Sequence, residues 1–137
     1  MTSSNFHLTG LIAASFTAFH DDGSLNLEPI EAHAGLLASN GVSGVFVCGS
    51  TGEGVSMTTE ERMHCLQRWR DVARGGLKVL AHVGHNSLGD AQVLAAHAQK
   101  AGVDAIATVA PSVLRPATVE DLVDWCAAVA ARAPDTP

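Results

Sequence analysis

Two adjacent hydroxyls, Ser50 and Thr51, stand between Gly49 and Gly52 at the end of the apolar run Val42-Ser-Gly-Val-Phe-Val-Cys48. Glycine lets a backbone turn sharply at little steric cost, so successive N–H groups and both hydroxyls can converge on one small anion, a carboxylate or a phosphate. Such a loop holds an acid group and breaks no bond by itself. The competing reading is a strand-to-helix turn whose Ser and Thr only cap the next helix. Cys48, directly before the loop, is a second candidate, as a nucleophile, although nothing in its sequence surroundings singles it out. A third set is His20, His82 and His85 with Asp21 and Asp22, residue types that ligate metal in barrel hydrolases. Their spacing is not diagnostic: His82 and His85 flank a glycine in a turn, where the two imidazoles need not face one point. Amine chemistry rests on Lys78 and Lys100, the only lysines of a chain without tyrosine.

These residues must be positioned by elements that the hydrophobic pattern makes visible. Short β-branched apolar runs at 11–16, 44–48, 78–83 and 105–109 read as strands, and longer helical patterns separate them. The runs begin 33, 34 and 27 residues apart, the size of one βα unit. Asn26 marks the start of a helix over 27–40, while Thr58, Ser87 and Thr118 stand three residues before Glu61, Asp90 and Asp121 in capping-box spacing. Asn40-Gly41, Gly75-Gly76 and Ala101-Gly102 mark helix ends, where a left-handed residue can close the last turn. Beyond Ala131 the chain stops on prolines, with no fifth strand. Four consecutive βα units with right-handed crossovers permit an open doubly wound sheet or part of a closed barrel, and both put ligands at the carboxyl ends of the strands. Those ends carry 19–22, the 49–54 turn, 82–86 and 110–112.

Composition narrows the class. The chain has 137 residues, 47% of them hydrophobic, and a formal net charge of -6, which is enough for one core and one domain, with 1–7 as a flexible tail. The acidic balance and the lack of a Lys/Arg run argue against nucleic acid or an anionic membrane as partner. No apolar stretch reaches the ~18 residues of a membrane helix and no basic segment leads into a signal core, so a cytoplasmic location is expected. Cys48, Cys65 and Cys126 read as reduced core thiols, and no metal or other cofactor is expected. Trp69 and Trp125 read as packing anchors on the second and fourth helices.

The motif Gly10-Leu-Ile-Ala-Ala-Ser-Phe-Thr-Ala-Phe19 with Asp22-Gly23, then Gly49-Ser-Thr-Gly-Glu53, Val83-Gly84, Gly102-Val-Asp-Ala105 and Ala110-Pro111, resembles the N-terminal half of the N-acetylneuraminate lyase and dihydrodipicolinate synthase family. The Ser-Thr pair, where the synthase branch usually has Thr-Thr, leans toward the lyase branch. The resemblance implies an α/β chain whose four βα units are the first half of a (β/α)8 TIM barrel. It implies a class I aldolase that joins a lysine to the keto carbon of pyruvate as a Schiff base, with sialic acid cleaved to N-acetylmannosamine and pyruvate as the expected reaction. Carried onto this chain, Ser50 and Thr51 would bind the carboxylate of a small α-keto acid or sugar acid. Gly49 and Gly52 would let the backbone approach, Thr51 would support a tyrosine's proton relay, and Glu53 would brace the loop. Relatives of this family are usually homotetramers.

Several residues depart from the family pattern. The strand-six lysine and strand-five tyrosine are absent, Lys78 opens the third strand at the end away from the ligand face, and Lys100 lies on the third helix. Ser112 and Val113 replace two aromatics, and Ala18 replaces a common proline. A (β/α)8 barrel needs roughly 250 residues, so 137 residues amount to about half. Its exposed strand edges could lead it to self-associate. A catalytically inactive binding or assembly module, a synthase-like enzyme and a metal-dependent barrel hydrolase remain as alternatives.

Overall fold

The computed structural model describes residues 6–74 and 76–137. Most of the expected tail over 1–7, and Gly75 of the expected helix-ending glycine pair, lie outside the described residues.

A parallel four-stranded sheet runs in the order β1 (Ile12–Ala14), β4 (Gly44–Val47), β5 (Lys78–His82), β6 (Ala105–Ala107). Between these strands lie α1 (Pro29–Ser39), α2 (Thr59–Val72) and α3 (Leu88–Ala101), and α4 (Val119–Ala130) follows the last. Every sheet neighbour is also the next barrel strand in sequence, so the sheet curls in one direction without a switch point. This is four βα units of a barrel, not a doubly wound sheet.

Alternation along the strands decides which face is covered. Val45, Val47, Val79 and Ala81 are fully buried and share one cluster with Cys65, Leu66, Trp69 and Val72 of α2 and Ala91, Leu94, Ala95 and Ala98 of α3. The intervening residues Ile12, Ala14, Phe46, Leu80 and His82 face the other way and are exposed or half-buried. Trp69 anchors the covered side: the His33 ring meets it edge-on at 5.3 Å, and Phe16 stacks on His33 at 4.8 Å. Trp125 is half-buried against the same cluster, so both tryptophans pack as expected.

The helix starts follow local chemistry. Thr58 and Thr118 form complete capping boxes with Glu61 and Asp121. Ser87 accepts from the Asp90 N–H, but the Asp90 carboxylate lies 3.6 Å from His85 Nδ1, and no box closes. Asn26 does not cap α1. Its Oδ1 accepts from the Glu28 N–H in an Asx turn at 3.0 Å, and α1 begins at Pro29, where a missing N–H costs nothing. A short antiparallel ribbon, β2 (Ala18–Phe19) with β3 (Leu25–Asn26), occupies what the sequence suggested was loop and helix start. Gly41 and Gly102 close α1 and α3 at φ +72° and +73°. α2 stops earlier than expected, at Val72 with Ala73 as C-cap. After α4 the chain turns back, and the Ile106 N–H donates to Pro137 O at 2.8 Å on the free edge of β6.

Trp69→Ala should cost about 3–5 kcal/mol. The check is a fall in denaturant midpoint at little-changed slope; a loss below about 1 kcal/mol would mean that the core is not centred on this indole.

Candidate functional site

β4 ends at Val47 and the backbone then enters a conformation rarely taken by L-residues: Cys48 has φ +58° and Glu53 φ +56°. Each such residue stores on the order of 1–3 kcal/mol, and strain of this kind persists only where its surroundings impose it. Between them the turn is closed by the Glu53 N–H to Ser50 O at 3.1 Å and the Gly54 N–H to Gly49 O at 3.1 Å. From the end of β1, the buried Thr17 hydroxyl donates to Gly52 O at 2.7 Å, and the Ser15 N–H donates to Phe46 O at 3.2 Å. Two barrel strands thus hold one loop.

The glycines serve a different purpose from the one expected. None of Gly49, Gly52 and Gly54 has positive φ. A Cβ on Gly52 would stand 2.9 Å from Ser15 O and 3.1 Å from Cys48 N, and one on Gly54 would run into the Cys48 carbonyl. Gly52 and Gly54 are small so that backbones can touch, and Gly49 because the Phe46 ring would stand 2.7 Å from a Cβ there, while the left-handed turns fall on Cys48 and Glu53.

The result is a buried floor with two exposed hydroxyls, Ser50 and Thr51, above it. These residues do not cap the next helix. α2 begins eight residues after Thr51 with its own cap, Thr58, whose hydroxyl accepts from the Glu61 N–H at 3.2 Å. The intervening 3₁₀ turn (Gly54–Ser56) starts from Glu53 without a side-chain cap. Glu53 is exposed and braces the turn through its backbone, donating to Ser50 O and accepting from the Ser56 N–H at 2.8 Å.

The other candidates separate. Cys48 is buried, its sulfur 4.0 Å from Arg62 O, and a hydrogen bond with Cys65 together with burial pushes its thiol far up. It stays protonated near neutrality and is no nucleophile. His20 is exposed in the β2–β3 turn, and the neighbouring Asp22 carboxylate is engaged by the Ser24 hydroxyl and N–H, which hold it below its ordinary range. His85 Nδ1 accepts from the Ser87 N–H at 3.0 Å. His82 is held by Arg62. Among the described residues no group of three His, Cys, Asp or Glu is placed to bind a metal ion. Lys78 Nζ pairs with Asp104 at 2.8 Å at the start of β5, the end remote from the loop, and Lys100 is exposed in the last turn of α3.

Thr17 and Arg62 belong to the site's support and were not singled out by residue type. Arg62 is 2% exposed. Its guanidinium donates to His82 O at 2.6 Å and Gly84 O at 3.0 Å and meets His82 Nδ1 at 3.3 Å. One signal was present: Arg62, Cys65, Leu66, Trp69 and Val72 are all buried and share one helical stripe, so a charge sits on the apolar face.

The Dihydrodipicolinate synthetase family profile matches residues 7–137. The chain is 42% identical over 132 residues to N-acetylneuraminate lyase A of Xenopus laevis, covering 95% of this chain and 43% of that protein. It is 38% identical over 139 residues to the N-acetylneuraminate lyase of Sus scrofa, covering 44% of it. In three dimensions it is similar to Proteus mirabilis N-acetylneuraminate lyase, with TM-score 0.91, 40% identity, and 94% of this chain set on 44% of that one. A dihydrodipicolinate synthase from Aquifex aeolicus gives TM-score 0.87 at 32% identity, covering 95% and 43%. The chain therefore spans a little under half the length of these relatives, their N-terminal half. Among the described residues no helix is long and apolar enough to cross a membrane.

Burial predicts the thiol reactivity. Native alkylation at pH 8 followed by peptide mapping should label the half-buried Cys126 first and leave Cys48 and Cys65 unmodified until the chain unfolds; early labelling of Cys48 would contradict a protonated, enclosed thiol. Gly54→Ala should disrupt the loop and cost about 2 kcal/mol or more, because the added carbon meets a main-chain carbonyl that cannot swing aside.

Proposed function

The chain belongs to the dihydrodipicolinate synthetase family, and we propose that it forms the carboxylate-holding half of a pyruvate aldolase of the N-acetylneuraminate lyase kind. The observation that carries the reading is the loop at the carboxyl end of β4, where Ser50 and Thr51 stand open above a floor of close-packed glycines. Identity favours the lyase branch over the synthase branch, at 38–42% with curated lyases against 28–32% with the solved synthases.

In this reading Ser50 and Thr51 donate hydrogen bonds to the carboxylate of pyruvate, and Gly49 and Gly52 let the backbone come close. Two hydroxyl donors fix the acid end so that the keto carbon is presented at a set height above the sheet. Thr51, exposed on the loop, supports proton movement at the substrate. The amine that condenses with the keto carbon comes from outside this chain, since Lys78 is paired with Asp104 and Lys100 lies on a helix surface. That amine forms a C=N bond with loss of water, and the cation so made withdraws the electron pair released when the substrate's carbon-carbon bond breaks. Sialic acid cleavage to N-acetylmannosamine and pyruvate is the reaction of this class that the lyase relatives' names point to. We place the protein in the cytoplasm, in a homo-oligomer, with the exposed edges of β1 and β6 as the route by which this half alone self-associates.

The test uses the full-length protein that carries this segment. Incubation with pyruvate and borohydride should add one reduced pyruvyl unit to the intact mass; no adduct would leave an inert carboxylate-binding module. Thr51→Val should weaken pyruvate binding by roughly 10-fold or more, the worth of one hydrogen bond to a charged acceptor, at unchanged melting temperature. Unchanged affinity would remove the carboxylate role.

A further inference from the structure

The Gly52–Glu53 peptide is held at both of its polar ends. Its carbonyl accepts from the buried Thr17 hydroxyl at 2.7 Å, and its N–H donates to Ser50 O at 3.1 Å. Of the four carbonyls from Gly49 to Gly52, three are engaged, since Gly49 O accepts from the Gly54 N–H. The Ser50 and Thr51 N–H groups, by contrast, have no acceptor among the described residues. The loop is thus left with free donors while most of its oxygens are occupied, which is what an anion requires.

This orientation is not the one the backbone prefers by itself. Flipping a peptide turns the ψ before it and the φ after it together, as between type I and type II turns. A flip here would take Glu53 from φ +56° to the negative values that L-residues favour. Glycine at 52 would permit the accompanying change in ψ. The same flip would swing the Gly52 oxygen away from β1. Thr17 opposes it from another strand, and its own segment is fixed. The Ser15 N–H donates to Phe46 O at 3.2 Å, and the Phe16 ring stacks on His33 at 4.8 Å. A valine would fill the volume of Thr17 without a hydroxyl, so packing alone does not require threonine there.

We propose that Thr17 is a positioning residue that sets the orientation of the Gly52–Glu53 peptide: its buried hydroxyl keeps the Gly52 oxygen turned toward β1 and away from the anion that Ser50 and Thr51 receive. Thr17 does not touch the substrate. It acts on the sign of the field at the loop, because a carbonyl oxygen turned toward a carboxylate repels it, whereas the same oxygen barely disturbs an uncharged ligand of the same shape. The consequence for affinity rests on the carboxylate role of Ser50 and Thr51; the orientation of the peptide does not.

Crystal structures and binding measurements on the full-length protein separate the two. In the wild type the Gly52 carbonyl should face the Thr17 hydroxyl with or without pyruvate, and a carbonyl turned elsewhere overturns the proposal without any variant. Thr17→Val should show the peptide flipped, and Thr17→Ser, which keeps the hydroxyl, should show it in place. Pyruvate affinity should fall about 10-fold in Thr17→Val, the scale of one misdirected hydrogen-bonding group, and stay within about 3-fold in Thr17→Ser. Methyl pyruvate, which lacks the charge, should change by less than about 3-fold in both. An equal loss for both ligands in Thr17→Val would mean general loosening of the loop and overturns the proposal, as does unchanged pyruvate affinity. Thr17→Ala takes the place of the valine, with the same expectations, if that variant does not fold. If the wild type binds no pyruvate, the aldolase reading fails and the structures alone decide. A peptide flipped in Thr17→Val and not in Thr17→Ser supports the positioning role, and an unmoved peptide in Thr17→Val overturns it.

Discussion

The structure depends on a close backbone approach. The loop after β4 folds so tightly against its own strand end that a single methyl on Gly54 has no room, and Gly52 lies against the main chain of β1. That packing forces the left-handed turns onto Cys48 and Glu53, which gain nothing from them. The strain, on the order of a few kcal/mol in all, is sustained by the buried hydrogen bond from Thr17 to Gly52 and by the buried valines of β4. In the proposed reading this rigidity serves binding, because donors that need not be ordered first hold a carboxylate better.

Much of this was legible beforehand. The βα rhythm came from valine-rich runs that alternate with capped helices, and Thr58 and Thr118 form the boxes that their spacing promised. The turn at Gly49–Gly54 was legible as a glycine-flanked loop at a strand end, and of the two uses its hydroxyls suggested, the structure removes helix capping, since Thr58 caps α2. The reason given for the glycines was incomplete, since close approach leaves no mark that distinguishes it from a need for positive φ. The β2–β3 ribbon was missed because two-residue strands have no period to detect. The Asp22-Gly23 pair did signal its turn, in which the Gly23 N–H returns to His20 O at 2.9 Å. Asn26 misled because the side chain that caps helices also makes Asx turns, and the proline three residues later moved the helix start. Arg62 was passed over as one more polar helix residue, although its place on the apolar stripe set it apart.

The sheet also explains why half of a barrel can be read so clearly. Each βα unit packs against its neighbours in sequence, so the covered face is complete within this chain, while the opposite face exposes Ile12 and Ala14 of β1. Parallel sheets are rarely left open on a face, and β1 and β6 offer unpaired edges beyond the single bond from Ile106 to Pro137. A concave surface of this kind belongs to a larger barrel or to an assembly, in keeping with relatives of which this chain spans a little under half.

Division of labour within such a barrel follows from geometry. A carboxylate needs donors on a rigid backbone turn, which one strand end and its neighbour can supply together. A Schiff-base amine must instead be neutral, hence desolvated or near another cation, and must stand a few ångströms from the keto carbon. Arg62, the one cation buried among the described residues, is committed to the His82 and Gly84 carbonyls, while Lys78 is held by Asp104 at the far end of β5. In the proposed reading, the loop that grips the acid and the amine that attacks the ketone would have different electrostatic needs, and supplying the amine from outside this chain would let each be tuned without disturbing the other.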